Sequence, residues 1–528
     1  MKYFGWIFLF FIALYIIPLN NRPMLLDELT CAESIREMVI SGDYDSVPVF
    51  GNPGYDPAEP PMFYWLASAG VNLFGFNNFA VRLISALAAG LTALLTALLI
   101  QQNLRDEKLA ALAATITLSC AGIIFAGAQA LPAMLFVMAV TGSLGTIFLA
   151  LQEVNFNRRK FTLSIIAGLF IALALLTDGL IGIIFPLLVT VPYMLFSRKF
   201  KEFFSVLPLF IVSAALSAGA WVASLYFLAP AEVLDGFLFT ADLCPGEYPW
   251  YSYIAVFFIG AFPVLILLPA ALMTGLESWK RLFRQPLCQF SLWTLLLILF
   301  WVSAWRSSTP GMVLLTYPAS AVLLAMGIQA YFNTGGHHRS FDWMLNVWAL
   351  FLVITGGIEL AWWFLKDNCF TEYFQLLPFT RLFLLNLGIS SIIGGGVLLY
   401  SLHGNWRSRL YLFFFSIAIL PLGISWCIKP QRFMPEATFR TFIREFDMIP
   451  EKCEFFTSGE FVPALSWCVN KEVQTADCLC PVIETADSGR TVYLILEKSD
   501  RRLKNIDAKR SLTRGEFTCI EVAVPEKQ

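Results

Sequence analysis

Residues 2–41 read KYFGWIFLFFIALYIIPLNNRPMLLDELTCAESIREMVIS. Residues 3–19 form an apolar run with only Lys2 ahead of it, and PLNNRP leads from it straight into charged sequence. A membrane-spanning helix needs about 20 mostly apolar residues. With no small-residue cleavage site after the run, it is expected to remain as a helix rather than leave as a signal peptide. The next stretch, DELTCAESIREMVIS, places Leu29, Ala32, Ile35, Met38 and Val39 at helical spacing, with Glu33, Arg36 and Glu37 between them. That pattern predicts an amphipathic helix lying along a membrane interface.

The whole chain extends this reading. Hydrophobic residues make up 58% of its 528 residues, charged residues 14%, and the mean hydropathy is +0.68. Ordinary soluble domains carry about 25% charged residues, so most of this chain has to face lipid. A net charge of -2 shows no basic excess, which argues against a nucleic-acid partner. Eleven cysteines are too few for this length to define a disulfide scaffold.

Apolar runs near 3–19, 80–100, 108–127, 131–151, 162–177, 179–197, 204–229, 251–274, 287–304, 310–332, 342–365, 381–401 and 409–427 predict about thirteen spans. Alternate connections are basic: Arg105 and Lys108; Arg158, Arg159 and Lys160; Arg198, Lys199 and Lys201; Lys280, Arg281 and Arg284; Arg339; Arg407 and Arg409. The positive-inside rule then puts the N-terminus in the cytoplasm, and the odd number of spans puts the C-terminus on the outer face. Residues 20–79 form a long first outer loop, in which PPMFYWLASAGVNLFG (60–75) predicts a second interfacial helix with aromatics suited to the headgroup layer. Residues 1–427 are thus the membrane domain. Residues 428–528 are expected to fold as a small α/β domain outside the membrane, with a helix in FMPEATFRTFIREF and strands in CEFFTS, TVYLILEK and FTCIEVAV.

Candidate chemistry gathers on the outer face. Asp27 and Glu28 follow the first span; they serve either as N-terminal carboxylates of a helix or as a base and its neighbour in a cavity under the outer loop. Arg82 opens the second span, where it can snorkel or hold a phosphate. Asp178 sits in the short connection TDGL, where a plain turn explains it equally well. Arg306 and Tyr317 bracket WRSSTPGMVLLTYP, and Glu247 and Tyr248 end the loop before Trp250. Glu359 lies within an apolar span and is a functional candidate on that ground. His337, His338 and His403 all fall in loops assigned to the cytoplasm, so no His-ligated zinc is expected on the outer face. Carboxylates there could hold Mg²⁺ or Mn²⁺, but no spacing requires a metal. Cys453, Cys468, Cys478, Cys480 and Cys519 fall in the outer domain, where disulfides are expected.

RPMLLDELTCAESIREMVISGDY (22–44) and PAEPPMFYWLASAGVNLFGFNNFAVRLISALAAGLTALL (57–95) resemble the start of the bacterial aminoarabinose transferase and protein O-mannosyltransferase superfamily. LLTDGLIGIIFPLLV (175–189), EYPWYSYIAVFFIGAFPVLILLPAAL (247–272) and TYPASAVLLA (316–325) continue the resemblance in the same order. It implies a GT-C fold and an inverting transfer of one sugar from an undecaprenyl-phosphate donor in the bacterial inner membrane. The extracytoplasmic acceptor would be a lipid A-type glycolipid, with a protein hydroxyl as the alternative. In that reading Asp27 is the catalytic carboxylate with Glu28 supporting it, and Arg82 and Arg306 hold the donor phosphate. Glu33, Arg36, Glu59, Tyr64, Asp178, Glu247, Tyr248 and Tyr317 line the cavity. Three basic positions of the pattern differ: Glu59 and Asp178 stand where lysines are usual, and Arg306-Ser307-Ser308 loses another. Cations that grip a leaving phosphate lower the barrier to its departure, so these losses leave a changed active site or a degenerate paralogue. A transporter of a lipid-linked substrate is the reading from another class, but the polar residues cluster at one surface and no internal repeat is evident.

Overall fold

The computed structural model describes residues 2–19, 24–42, 44, 60–228, 249–272, 280–305, 310–333, 338–369, 381–400, 406–424, 436–446, 448, 453–471, 473–475, 491–497, 500, 508–514 and 517–522. Helix α1 (Lys2–Phe11) runs on as a π-turn (Ile12–Ile16). It is followed by α2 (Leu26–Ser41), α3 (Met62–Phe74), α4 (Asn78–Leu104), α5 (Glu107–Ser119), α6 (Ala121–Gly127), α7 (Ala133–Gln152), α8 (Arg158–Asp178), α9 (Ile181–Ser197) and α10 (Phe200–Leu228). Then come α11 (Trp250–Ala261), α12 (Leu268–Leu272), α13 (Pro286–Trp305), α14 (Tyr317–Asn333), α15 (His338–Cys369), α16 (Arg381–Tyr400) and α17 (Trp406–Ile424). Each apolar run of the sequence overlaps a described helix, and the run 251–274 is divided into α11, a 3₁₀ turn (Val264–Leu267) and α12. Six of the described helices are long and apolar enough to cross a membrane, seven when the bent α5–α6 pair counts as one.

Small residues set the packing. Ala86, Ala89, Ala93 and Ala97 recur along the buried side of α4, which packs against α7. Helix α7 is apolar all round and sits at the centre, as a helix without a polar face must. Between α15 and α16, a Cβ on Gly356 would stand 2.7 Å from the carbonyl oxygen of Gly388, and one on Gly395 would stand 2.6 Å from that of Ala349. Backbones this close give dispersion contact that lipid tails cannot match. The run 108–127, expected as one straight span, breaks at Cys120 and bends by 67°. Ala121 N donates to the carbonyl of Phe262 (3.0 Å) and the Tyr15 hydroxyl donates to that of Leu118 (2.9 Å), so these break-flanking groups are satisfied inside protein.

The C-terminal unit adds α18 (Glu436–Glu445) and α19 (Val462–Val469) to strands β1 (Cys453–Thr457), β2 (Gln474–Thr475), β3 (Thr491–Glu497), β4 (Ala508–Arg514) and β5 (Phe517–Val522). The sheet order is β2-β1-β3-β5-β4, with β1 parallel to β2 and β3, and β5 antiparallel to β3 and β4. Phe439 of α18 meets Phe517 edge-on at 5.1 Å, and Phe446 meets Tyr493 at 5.6 Å, seating the helix on the sheet. The expected helix and three strands are all present. Strand β4 was not expected; its sequence AKRSLTR has no hydrophobic alternation because it is an edge strand, where charge is tolerated and useful.

Gly182, near the start of α9, tests how tightly the hairpin with α8 is closed. A Cβ there would lie 2.5 Å from the backbone carbon of Ala174 and the nitrogen of Leu175, neither of which can rotate away. Gly182→Ala is expected to lower stability by about 1–3 kcal/mol. Gly357→Ala, where nothing lies within 4 Å, should not, and thermal unfolding of the detergent-solubilised protein compares the two.

Candidate active site

The Asp27–Glu28 pair occupies the first turn of α2, as expected, but its two carboxylates point to different surroundings. Successive helix residues diverge by about 100°. Here Asp27 is exposed while Glu28 is fully buried. Glu28 Oε2 accepts from the backbone N–H of Leu25 (2.9 Å), closing the first turn. Its Oε1 accepts from the N–H of Ala130 (3.0 Å) and from Arg82 Nε (2.9 Å), and Oε2 accepts from Arg82 Nη2 (3.2 Å). Arg82 Nη1 donates in turn to the carbonyl of Leu19 (3.0 Å). One ion pair with no solvent-exposed side-chain surface therefore joins the end of the first span, the start of α2, the start of α4 and the connection from α6 to α7.

This geometry gives Arg82 a partner that the sequence did not show. A guanidinium committed to Glu28 and a backbone carbonyl, and wholly buried, does not present itself to a phosphate in solvent. The motif signal was right about its importance and silent about its partner, because residues 54 positions apart meet only through the fold. Among the described residues, no hydrogen bond or ion pair reaches the Asp27 carboxylate.

Glu33 and Arg36 are not cavity-lining in the sense expected. They pair with each other through Arg36 Nε and Nη2, with Nε to Glu33 Oε2 at 2.7 Å, and both are buried. Helix α2 packs against α19 of the C-terminal unit on this side. Burial pushes the Glu33 carboxyl up from its ordinary range; Arg36 and Ser466 of α19 oppose that rise. The polar face of α2, expected to face water, is thus covered by protein. Likewise Phe63 and Tyr64 of α3 point inward rather than into a headgroup layer, with the Tyr64 hydroxyl 3.6 Å from the Cys31 sulfur.

Tyr317 is also structural. Its hydroxyl donates to the carbonyl of Val256 (3.2 Å), and its ring fills the space that a Cβ on Gly122 or Gly260 would occupy. Asp178 closes α8, half-buried, and Gly179 follows with φ 65°, so the turn explanation holds for the backbone. Glu359 is half-buried on α15, with Oε2 buried and without a hydrogen-bond partner among the described residues. Glu59, Glu247, Tyr248, Arg306, His337 and His403 lie outside the described residues, as does the side chain of His338. Among the described residues no disulfide joins Cys453, Cys468 and Cys519 to one another, and burial pushes the Cys519 thiol far up. Cys478 and Cys480 lie outside the described residues. Among the described residues no three His, Cys, Asp or Glu side chains gather as metal ligands. With Glu28 held by Arg82, its carboxylate is not available to share an ion with Asp27.

One further feature was not read from the sequence. A groove of about 470 Å³ runs between α11 and α13, lined by Trp250, Ile254, Leu296, Leu299, Phe300 and Ser303. It is almost wholly apolar, and the Ser303 hydroxyl lies buried there with no partner among the described residues. Helix α13 ends at Trp305, one residue before Arg306.

Residues 58–222 match the family described as dolichyl-phosphate-mannose-protein mannosyltransferase. The chain is 27% identical over 481 residues to the undecaprenyl phosphate-alpha-4-amino-4-deoxy-L-arabinose arabinosyl transferase of Erwinia tasmaniensis, covering 87% of this chain and 82% of that one. It is 32% identical over 349 residues to the enzyme of the same description from Aeromonas salmonicida, covering 64% of this chain and 62% of the relative's length. The crystal structure of ArnT from Cupriavidus metallidurans bound to undecaprenyl phosphate superimposes with a TM-score of 0.78 over 99% of this chain and 98% of that one, at 16% identity.

Removing one partner of a buried ion pair leaves an uncompensated charge and typically costs about 3–5 kcal/mol. Glu28→Ala and Arg82→Met are each expected to destabilise the protein on that scale, whereas Asp27→Asn should leave the melting temperature unchanged. Scanning fluorimetry on the three purified variants distinguishes the structural carboxylate from the exposed one.

Proposed function

We propose that this member of the aminoarabinose transferase and protein mannosyltransferase superfamily moves a single sugar from undecaprenyl phosphate to an acceptor outside the cytoplasm, by an inverting mechanism. The observation that carries the reading is the split between the two first-turn carboxylates. Glu28 is locked into the scaffold by Arg82, and Asp27 is held on the same rigid turn with its carboxylate exposed. A base must be positioned by groups that do not move, and a turn fixed by a buried, multiply hydrogen-bonded carboxylate meets that need.

Asp27 orients and deprotonates the acceptor nucleophile and balances the positive charge that develops on the sugar ring. An inverting transfer makes the new bond as the donor's glycosidic oxygen leaves with the phosphate, and cations there must bind the product charge more tightly than the substrate's. With Arg82 committed to Glu28, Arg306 is the arginine assigned to that phosphate. The apolar groove between α11 and α13 seats the polyprenyl chain, leading towards the end of α13 where Arg306 follows. A glycolipid of the lipid A class is the preferred acceptor, since relatives with this overall sequence are described as arabinosyl transferases acting on undecaprenyl phosphate-linked aminoarabinose. The orientation follows the positive-inside count: about thirteen spans, N-terminus cytoplasmic, and the C-terminal unit on the outer face of the bacterial inner membrane.

The expected result is a strain lacking the chain whose glycolipids lose one sugar-sized mass increment, restored by wild type and not by Asp27→Asn. Restoration by both would remove Asp27 from the mechanism. Arg306→Ala should abolish transfer, and Arg306→Lys should retain part of it, because a point charge replaces a bidentate fork. Mass spectrometry of extracted lipid and envelope protein reads each variant and names the acceptor.

A further inference from the structure

A second cavity, of about 280 Å³, lies at the far end of the bundle, between α1, α5, α14 and α17. Arg82 and the end of α4 are separated by 22 helical residues, about 33 Å at 1.5 Å per residue. The cavity borders the start of α5, just beyond that end, so a full hydrocarbon thickness separates it from Asp27. It plays no part in the transfer proposed above, and its test is independent of that reading.

Its walls have two characters. Leu112, Phe332, Leu410 and Phe414 make an apolar side. The polar side holds the exposed Lys108 and the Trp6 indole, whose Nε1 is buried without an acceptor among the described residues. Asp106 also borders the cavity, but its oxygens are occupied. Oδ1 accepts from the N–H groups of Lys108 (2.9 Å) and Leu109 (3.0 Å), and Oδ2 accepts from Gln329 Nε2 (2.6 Å). The Trp6 ring is held edge-on by Tyr411 at 5.5 Å, so the N–H cannot readily turn towards solvent.

We infer that this cavity is a binding site for an anionic glycerophospholipid of the adjoining leaflet. The phosphate takes the Lys108 ammonium, and an acyl chain lies on the apolar wall beside the Trp6 ring. Inorganic phosphate would leave that wall unused, and a zwitterionic lipid would leave the Lys108 charge balanced only by its own headgroup. A neighbouring cavity of about 240 Å³, reached past Asp106 and Gln329, provides room for more of the lipid.

The test uses the full-length protein in vesicles of phosphatidylethanolamine doped with brominated phosphatidylglycerol or, separately, brominated phosphatidylcholine. The readout is quenching of the Trp6 component, taken as wild type minus Trp6→Phe. Phosphatidylglycerol should quench at a lower mole fraction than phosphatidylcholine. Lys108→Ala, an exposed change with little bearing on folding, should erase about fivefold of that preference, and Lys108→Arg should restore it. Equal quenching by the two lipids, or an unchanged preference in Lys108→Ala, overturns the inference. Displacement by inorganic phosphate alone would also overturn it in favour of a bare phosphate site.

Discussion

The Glu28–Arg82 pair is the constraint around which the outer end of the bundle is built. Taking two charges out of water costs several kcal/mol per ion, and only near-complete hydrogen bonding repays it. Among the described residues Glu28 receives four such bonds, from two backbone amides and two arginine nitrogens. Those partners come from three separate places in the chain, so the pair forms only when the first span, α2, α4 and the α6–α7 connection have all assembled. A hydrophobic substitute of similar volume could fill the space. It could not fix the direction of the α2 N-terminus, and that direction sets where Asp27 points.

The same helix is held from its other side. The Glu33–Arg36 pair lies buried where α19 packs on α2, so the C-terminal unit acts on the element that carries Asp27. The linkage gives that unit a mechanical part in the site whatever it also does for an acceptor. Its own sheet supports the contact through aromatic packing, with Phe461, next to α19, meeting Phe517 at 5.0 Å.

Much of this was legible in the sequence because membrane helices declare themselves by length and apolarity, and each of the thirteen apolar runs overlaps a described helix. The amphipathic pattern in 27–41 correctly gave the buried face of α2 through Leu29, Ala32, Ile35 and Met38. It could not show that Glu33 and Arg36 are buried as well, since their cover comes from residues more than 400 positions later. Periodicity reports which face is apolar, not whether something polar is hidden by another unit. The same limit applies to Arg82 and Tyr317: motif position marked both, but partners as remote as Glu28, Val256 and the two glycines are tertiary facts. The bend at Cys120 left no signal either, with neither proline nor glycine at the break itself.

The departures in charge then take on a narrower meaning. By the family resemblance, Asp178 and Glu59 stand where lysines are usual, which removes two cations from the pattern. With Arg82 paired to Glu28, the proposed reading rests its phosphate contact on Arg306. A site with fewer fixed positive charges loses transition-state stabilisation unless the remaining one is better aligned, because a bidentate arginine–phosphate contact in a dry groove gains from the low dielectric that the surrounding apolar wall creates. The groove between α11 and α13, with its nearly unbroken hydrocarbon lining leading to the end of α13, supplies that environment. Fewer cations raise the barrier and an apolar surround lowers it, so under the proposed reading the two act in opposite directions on the same step.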